Sequence, residues 1–248
     1  MSLLKLPGVS AAILALVLFA IWQMVFLAAG PMAIASPAAT FAYLAGHWPD
    51  LGTHVWATGQ AFLAALAIAI AGGLLLGLLT GLSATAAETA EPLLLAANSI
   101  PKIALYPVVL LLFGIGLPAK IAFGAIHGVI PVAIFTMNAC RAVPPVLLKT
   151  AAVLRLSPAD RIRSILLPSA LPMVLTGVRL GFSLTLIGTI LGEMFGSQSG
   201  LGYLLMTSIG LQNTDVIMAV TVLLIVFAAS VSTALLAWER RLRRERGQ

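Results

Sequence analysis

Six windows of roughly 20 apolar residues set the limits on what this chain can become. They run from about Val9 to Gly30, Val55 to Thr80, Pro92 to Gly114, Ala119 to Ala139, Leu171 to Gly192 and Val216 to Trp238. In hydrocarbon every backbone N–H and C=O must find a partner inside the protein, so such windows become membrane-spanning helices. Composition agrees: 60% of the 248 residues are hydrophobic and 9% charged, where a soluble domain carries about 25% charge. A soluble enzyme is excluded, and disorder, which needs low hydrophobicity and high net charge, is excluded with it. Strand-period alternation is missing, which argues against an outer-membrane barrel. The fold class is therefore an all-α integral membrane protein with six spans, read as one domain over residues 1–248.

Basic residues orient the spans. With both ends in the cytoplasm, that side holds Lys5, Arg141, Lys149, Arg155, Arg161, Arg163, Arg240, Arg241, Arg243, Arg244 and Arg246, eleven of the fourteen basic residues. The external loops then hold only Lys120, and Lys102 and Arg179 fall inside spans. Cytoplasmic loops are enriched in Lys and Arg, so this orientation is expected and its reverse rejected. The first window is longer than the apolar stretch of a cleaved signal peptide and is expected to be retained. The external segment from Pro31 to His54 is expected to form a short interfacial helix, and the arginine tail to rest on anionic lipid. The net charge of +6 thus reports topology and no nucleic-acid partner.

Catalytic signatures are missing. None of the four lysines follows a glycine, so no Gly-Lys phosphate loop exists and this chain is expected to bind no cofactor of its own. His47, His54 and His127 do not fall at metal-ligand spacing, and no nucleophile elbow occurs. The lone Cys140 forms neither an internal disulfide nor a cysteine cluster.

The cytoplasmic stretch 140–170 is the most informative. Pro144-Pro145 ends the fourth span, and Val146 to Arg155 has helical composition, with Leu147, Ala151 and Leu154 on one face. Ser157-Pro158-Ala159-Asp160 starts a second short helix: Ser157 suits a cap, Pro158 the first helical position and Asp160 the capping-box acid. Ile162, Ile165 and Leu166 share its apolar face, and Pro168 is expected to close it. On these residues alone, two amphipathic helices lying on lipid headgroups remain an open reading.

The stretch resembles the cytoplasmic loop of ABC-importer permease subunits, whose pattern is Glu-Ala-Ala, three residues, Gly, nine residues, Ile-x-Leu-Pro. Aligned on Pro168, this chain offers Lys149, Thr150 and Ala151 for the triplet, Arg155 at the glycine, and Ile165, Leu167 and Pro168 at the end. The acid and the glycine are both replaced. Pro168-Ser169-Ala170-Leu171-Pro172, Gly177-Val178-Arg179, Glu193 with Gly200-Leu201-Gly202-Tyr203, and Ile100-Pro101 with Ala104-Leu105-Tyr106-Pro107 and Phe113-Gly114-Ile115-Gly116 add colinear matches over about 55–240. The ensemble is most similar to the nitrate/sulfonate/taurine-type branch. The resemblance implies a permease of the bacterial cytoplasmic (inner) membrane in a homo- or heterodimer. It implies a coupling helix that docks on a separate ATPase subunit binding ATP-Mg, and a periplasmic or lipid-anchored substrate-binding protein on the other face.

Ionisable groups inside spans are costly and become functional candidates. Arg179 reads as a snorkelling side chain, a gate or an ion-pair partner. Lys102, between Pro101 and Pro107 in a helix expected to kink or break, either faces a pathway and favours an anion or lies at the interface. Asn98, Ser99, Tyr106, His127 and Asn138 are candidates for lining the path or for helix packing, and Glu193 is expected at the external mouth. The near-absence of central Asp or Glu argues against a stand-alone secondary transporter. Gly73, Gly77 and Gly81 repeat every four residues along the second span, as closely approaching helices require.

Overall fold

The structure, a computed structural model, describes residues 7–245. Lys5 and Arg246 lie outside the described residues, as do the side chains of Ile162, Arg243 and Arg244. Eleven α-helices form the described chain: α1 Pro7–Ala29, α2 Pro37–Gly46, α3 Trp48–Gly81, α4 Ala84–Ser99, α5 Tyr106–Phe113, α6 Leu117–Arg141, α7 Pro145–Val153, α8 Pro158–Arg161, α9 Leu167–Gly196, α10 Leu201–Gly210 and α11 Thr214–Glu245. Five of them, α1, α3, α6, α9 and α11, are long and apolar enough to cross a membrane singly. Taken together, the bent pair α4 and α5 meets the same test of length and apolar composition. The short helix α2, capped by Ser36, occupies the expected external segment and holds α1 through Trp22 Nε1, which donates to Ala35 O at 2.9 Å.

The third window, Pro92 to Gly114, is broken where a kink or break was expected. The chain turns through 83° between Ser99 and Lys102, and a 3-10 turn at Lys102–Leu105 leads into α5. Pro101 supplies no N–H and pushes Ile100 out of the helical region, to φ −62° and ψ 131°, so the α-helical ladder stops there. Pro92, in contrast, stays inside α4.

The core is a sandwich of α3, α6 and α9. Its contacts are between small residues rather than interlocked leucines, since lipid tails leave packing, not apolar burial, to hold helices together. Gly77 is the clearest case: a Cβ there would stand 2.5 Å from Thr136 Cβ and 2.6 Å from Ala133 O of α6. Gly73 and Gly81 face α6 in the same way, so the four-residue glycine stripe is a helix–helix seam. On the other side of α6, Gly124 and Gly128 admit Thr189 and Thr185 of α9. Phe62 of α3 meets Phe182 of α9 edge-on at 5.3 Å, filling the remaining gap.

Pro168 does not close a helix, as its position suggested. The chain runs from α8 through a π-helical turn at Ile162–Leu166 directly into α9, where Pro168 sits in the first turn. A proline N there has no hydrogen to donate, so it is tolerated at a helix start, and the wider turn carries the chain across it.

Candidate functional site

Two places gather the chemistry-bearing residues, one at each end of the α3–α6–α9 core. At one end, that of the start of α6 and the end of α9, Glu193 is fully buried, at 0% exposure. Its Oε2 accepts from Thr58 Oγ1 at 2.8 Å and from the Gly202 N–H at 2.9 Å. Its Oε1 faces Lys120 Nζ at 3.4 Å. Lys120 is itself corrected from an external loop to the first turn of α6, with 3% of its side chain exposed. Its ammonium donates to Ser199 O at 2.6 Å. Thr58 accepts in turn from the Leu201 N–H at 2.7 Å, and the Gly200 N–H donates to His54 Nδ1 at 3.1 Å. One carboxylate thus joins α3, α6 and α9 to the start of α10, whose free N–H groups and dipole favour a negative charge. Gly200 makes this possible twice over: its φ is +112°, and a Cβ would collide with the Glu193 carboxylate.

Tyr106 lies beside this hub, buried, with its Oη donating to Gly192 O at 2.7 Å and its ring edge-on to Phe123 at 4.9 Å. It ties α5 to α9. Lys102 Nζ reaches back across the break to Asn98 O at 3.1 Å, and so satisfies a carbonyl at the C-terminus of α4. Asn98 is exposed and Asn138 half-buried near the C-terminal end of α6. His127 is buried between α6 and α9, where its Nδ1 lies 2.8 Å from Phe123 O and its ring fills the space opposite Gly188.

At the opposite end, Arg179 Nε lies 3.5 Å from Glu239 Oε2 of α11, with 28% of the arginine side chain exposed. Thr176 Oγ1 donates to the other carboxylate oxygen at 2.8 Å. Among the three readings of Arg179, the geometry therefore gives the ion pair. Glu193 and Glu239, which lie toward the ends of α9 and α11 and not at the centres of the spans, are both buried, each beside a cation.

The loop from α7 to α9 is the second site. Ser157 Oγ accepts from the Asp160 N–H at 3.2 Å and donates to Asp160 Oδ2 at 2.6 Å, so the local cap forms as its spacing implied. Ala151 is buried, while Leu154 is 64% exposed, so the two do not share a covered face. Val146, Val153, Lys149, Thr150, Arg155 and Arg161 are exposed too, whereas Ile165 and Pro168 are half-buried. Helix α7 ends with the Leu156 N–H bonding Ala151 O at 3.0 Å, around Arg155 at φ 48°. That is a Schellman closure, whose left-handed position is normally glycine. The glycine of the resembled pattern falls on this residue, so the backbone keeps the turn and the arginine bears its strain. Arg155→Gly is expected to stabilise the turn by about 1 kcal/mol. Amide exchange at Leu156 then slows about fivefold, and unchanged exchange would show that the turn carries no strain.

Comparison with known proteins follows the same outline. The model of the binding-protein-dependent transport system inner membrane component matches residues 69–246, which include the C-terminal part of α3, all of α6, α9 and α10, and the whole loop. The chain belongs to this family of multi-pass inner-membrane transport components. It is 31% identical over 211 residues to a probable ABC transporter permease protein of Haemophilus influenzae, covering 84% of this chain and 86% of that one. It is 31% identical over 170 residues to the putative aliphatic sulfonates transport permease protein SsuC of Bacillus subtilis, covering 68% of this chain and 62% of that one. The taurine transport system permease protein TauC of Escherichia coli is 29% identical over 192 residues, 77% of this chain and 70% of its own. Among solved structures, the inward-facing MetNI methionine ABC transporter shares the fold, with a TM-score of 0.67 at 24% identity over 77% of this chain and 95% of that one.

Sequence reasoning did not find Thr58, His54 or the role of Lys120, because nothing local marks them. The available signal was Glu193 followed by Gly200-Leu201-Gly202, a spacing that lets backbone close over a carboxylate.

Proposed function

We propose that this chain is the membrane-spanning permease subunit of an ABC importer, coupling solute passage to ATP hydrolysis in a separate chain. The observation that carries this is the α7–α8 loop, which displays Val153 and Leu154 beside Lys149, Arg155 and Arg161 without covering them. A rigid, capped loop with apolar and basic side chains outward suits docking to a moving protein partner. The ATPase would bind the ATP-Mg, and this chain no cofactor or metal. The loop and the arginine tail face the cytoplasm in this reading. A second permease copy or a paralogue completes the path, and a periplasmic or lipid-anchored binding protein delivers the solute to the outer end. The solute is a small anion of the sulfonate, taurine or nitrate kind, in line with the relatives' names. Other relatives carry riboflavin and formylaminopyrimidine in theirs, which fixes the comparison set.

The test is uptake of radiolabelled ethanesulfonate, taurine, nitrate and riboflavin by host cells with and without this chain. Loss of one anion's ATP-dependent uptake, restored by the chain, is the expected result. Loss of riboflavin uptake alone would overturn the anion assignment, and full uptake of all four would overturn the whole solute class.

A further inference from the structure

The sequence reads Lys102 as the one intramembrane candidate for favouring an anion, yet among the described residues Lys120 is the more deeply buried lysine. Lys120 lines a cavity of about 430 Å³ between α3, the first turn of α6 and the loop 197–200. Its polar walls are Gln60, Ser197, Gln198 and Ser199, with the backbone of Gly116 and Leu117 at the start of α6. A hydrocarbon core of about 30 Å uses some 20 residues of α3. Counted from Gly81, that places Gln60 at the outer boundary, on the side from which an imported solute arrives.

We infer that this cavity is a receiving station for a small solute bearing an oxyanion, recognised by the Lys120 ammonium. An ammonium has three donors and no acceptor. One is used well, on Ser199 O at 2.6 Å, while Glu193 Oε1 and Ser199 Oγ stand at 3.4 and 3.5 Å. A closer acceptor in the cavity can therefore displace a long contact without leaving Glu193 bare, because Thr58 and Gly202 hold its other oxygen. Charge favours the same class. No acid lines the cavity. One carboxylate faces one ammonium and the N-termini of α6 and α10, each worth about half a positive charge, so the hub carries a positive surplus. The volume lies at the small end of ligand pockets, which suits a sulfonate, carboxylate or nitrate.

This rests on the importer reading, and its test separates the two. The chain is purified in mild detergent with whatever it retains, and its unfolding midpoint is followed against ethanesulfonate and nitrate. Ethanesulfonamide serves as the uncharged isostere, with ionic strength held by chloride. A saturable rise with an oxyanion but not with the sulfonamide is expected. Lys120→Met combined with Glu193→Gln lowers the apparent affinity at least about tenfold, the size of a lost charged hydrogen bond. Ala57→Phe, which fills the cavity and touches no charge, abolishes the effect, and Gln60→Leu at an exposed position weakens it should that variant not accumulate. No saturable rise in the native chain, an equal rise with the sulfonamide, or an equal rise in all variants overturns the inference. ATPase retained in the same preparation scores the importer reading independently.

Discussion

Lys120→Met is expected to cost about 3–5 kcal/mol, because it strands a buried carboxylate without its cation. The methionine fills nearly the same volume, so the loss is electrostatic rather than a cavity. Glu193, with no exposed surface, keeps the Thr58 and Gly202 donors but loses the ammonium at 3.4 Å. The same residue also holds the start of α10, so the loss spreads to the loop 197–200 through Ser199. Against a total of about 5–15 kcal/mol, this variant unfolds far more readily than the native chain. Adding Glu193→Gln is expected to recover most of the loss, since a glutamine oxygen still accepts from Thr58 and Gly202. Thermal unfolding of the single and double variants in detergent measures it. A double variant less stable than Lys120→Met would mean that the carboxylate is needed for its hydrogen bonds and not for its charge.

Gly77→Leu carries the second large effect. The first added carbon already meets Thr136 Cβ at 2.5 Å and the Ala133 carbonyl at 2.6 Å. A backbone oxygen cannot rotate aside, so α3 must move off α6, and the Gly73 and Gly81 contacts on the same seam loosen with it. Overpacking in a well-filled core costs about 1–3 kcal/mol and more where backbone is struck, so this variant is expected at or above the upper end. Gly59→Leu on the same helix provides the control, as a Cβ there meets nothing within 4 Å. Monodispersity and unfolding midpoint after purification compare them. Equal behaviour of the two would remove close α3–α6 approach as the basis of the core.

What the sequence revealed followed from how local each signal was. Spanning helices are local, so apolar windows found them, and Ser157 with Asp160 found the α8 cap across three residues. The glycine stripe of α3 announced a close contact but not its partner, since Thr136 and Val132 lie more than fifty residues away. The break at Pro101 was marked by its prolines, whereas an averaged window ran straight through it. Pro168 misled because a proline that ends one helix and one that begins another look alike without the π turn between them. The Lys120–Glu193 pair, 73 residues apart, was invisible: each residue read alone as an external charge, and only packing of α6 on α9 makes them partners. Arg155 became intelligible through both routes, the glycine of the resembled pattern and the left-handed backbone at this position.

The most direct test of the central claim is affinity purification of the tagged chain from its native host, with bound proteins identified by mass spectrometry. A parallel sample carries Val153→Asp and Leu154→Asp, two exposed positions whose substitution leaves the core untouched. The account predicts a P-loop ATPase with the native loop and its loss with the altered one. An ATPase retained equally by both would contradict the loop as the coupling element, and no ATPase in either would contradict the importer itself.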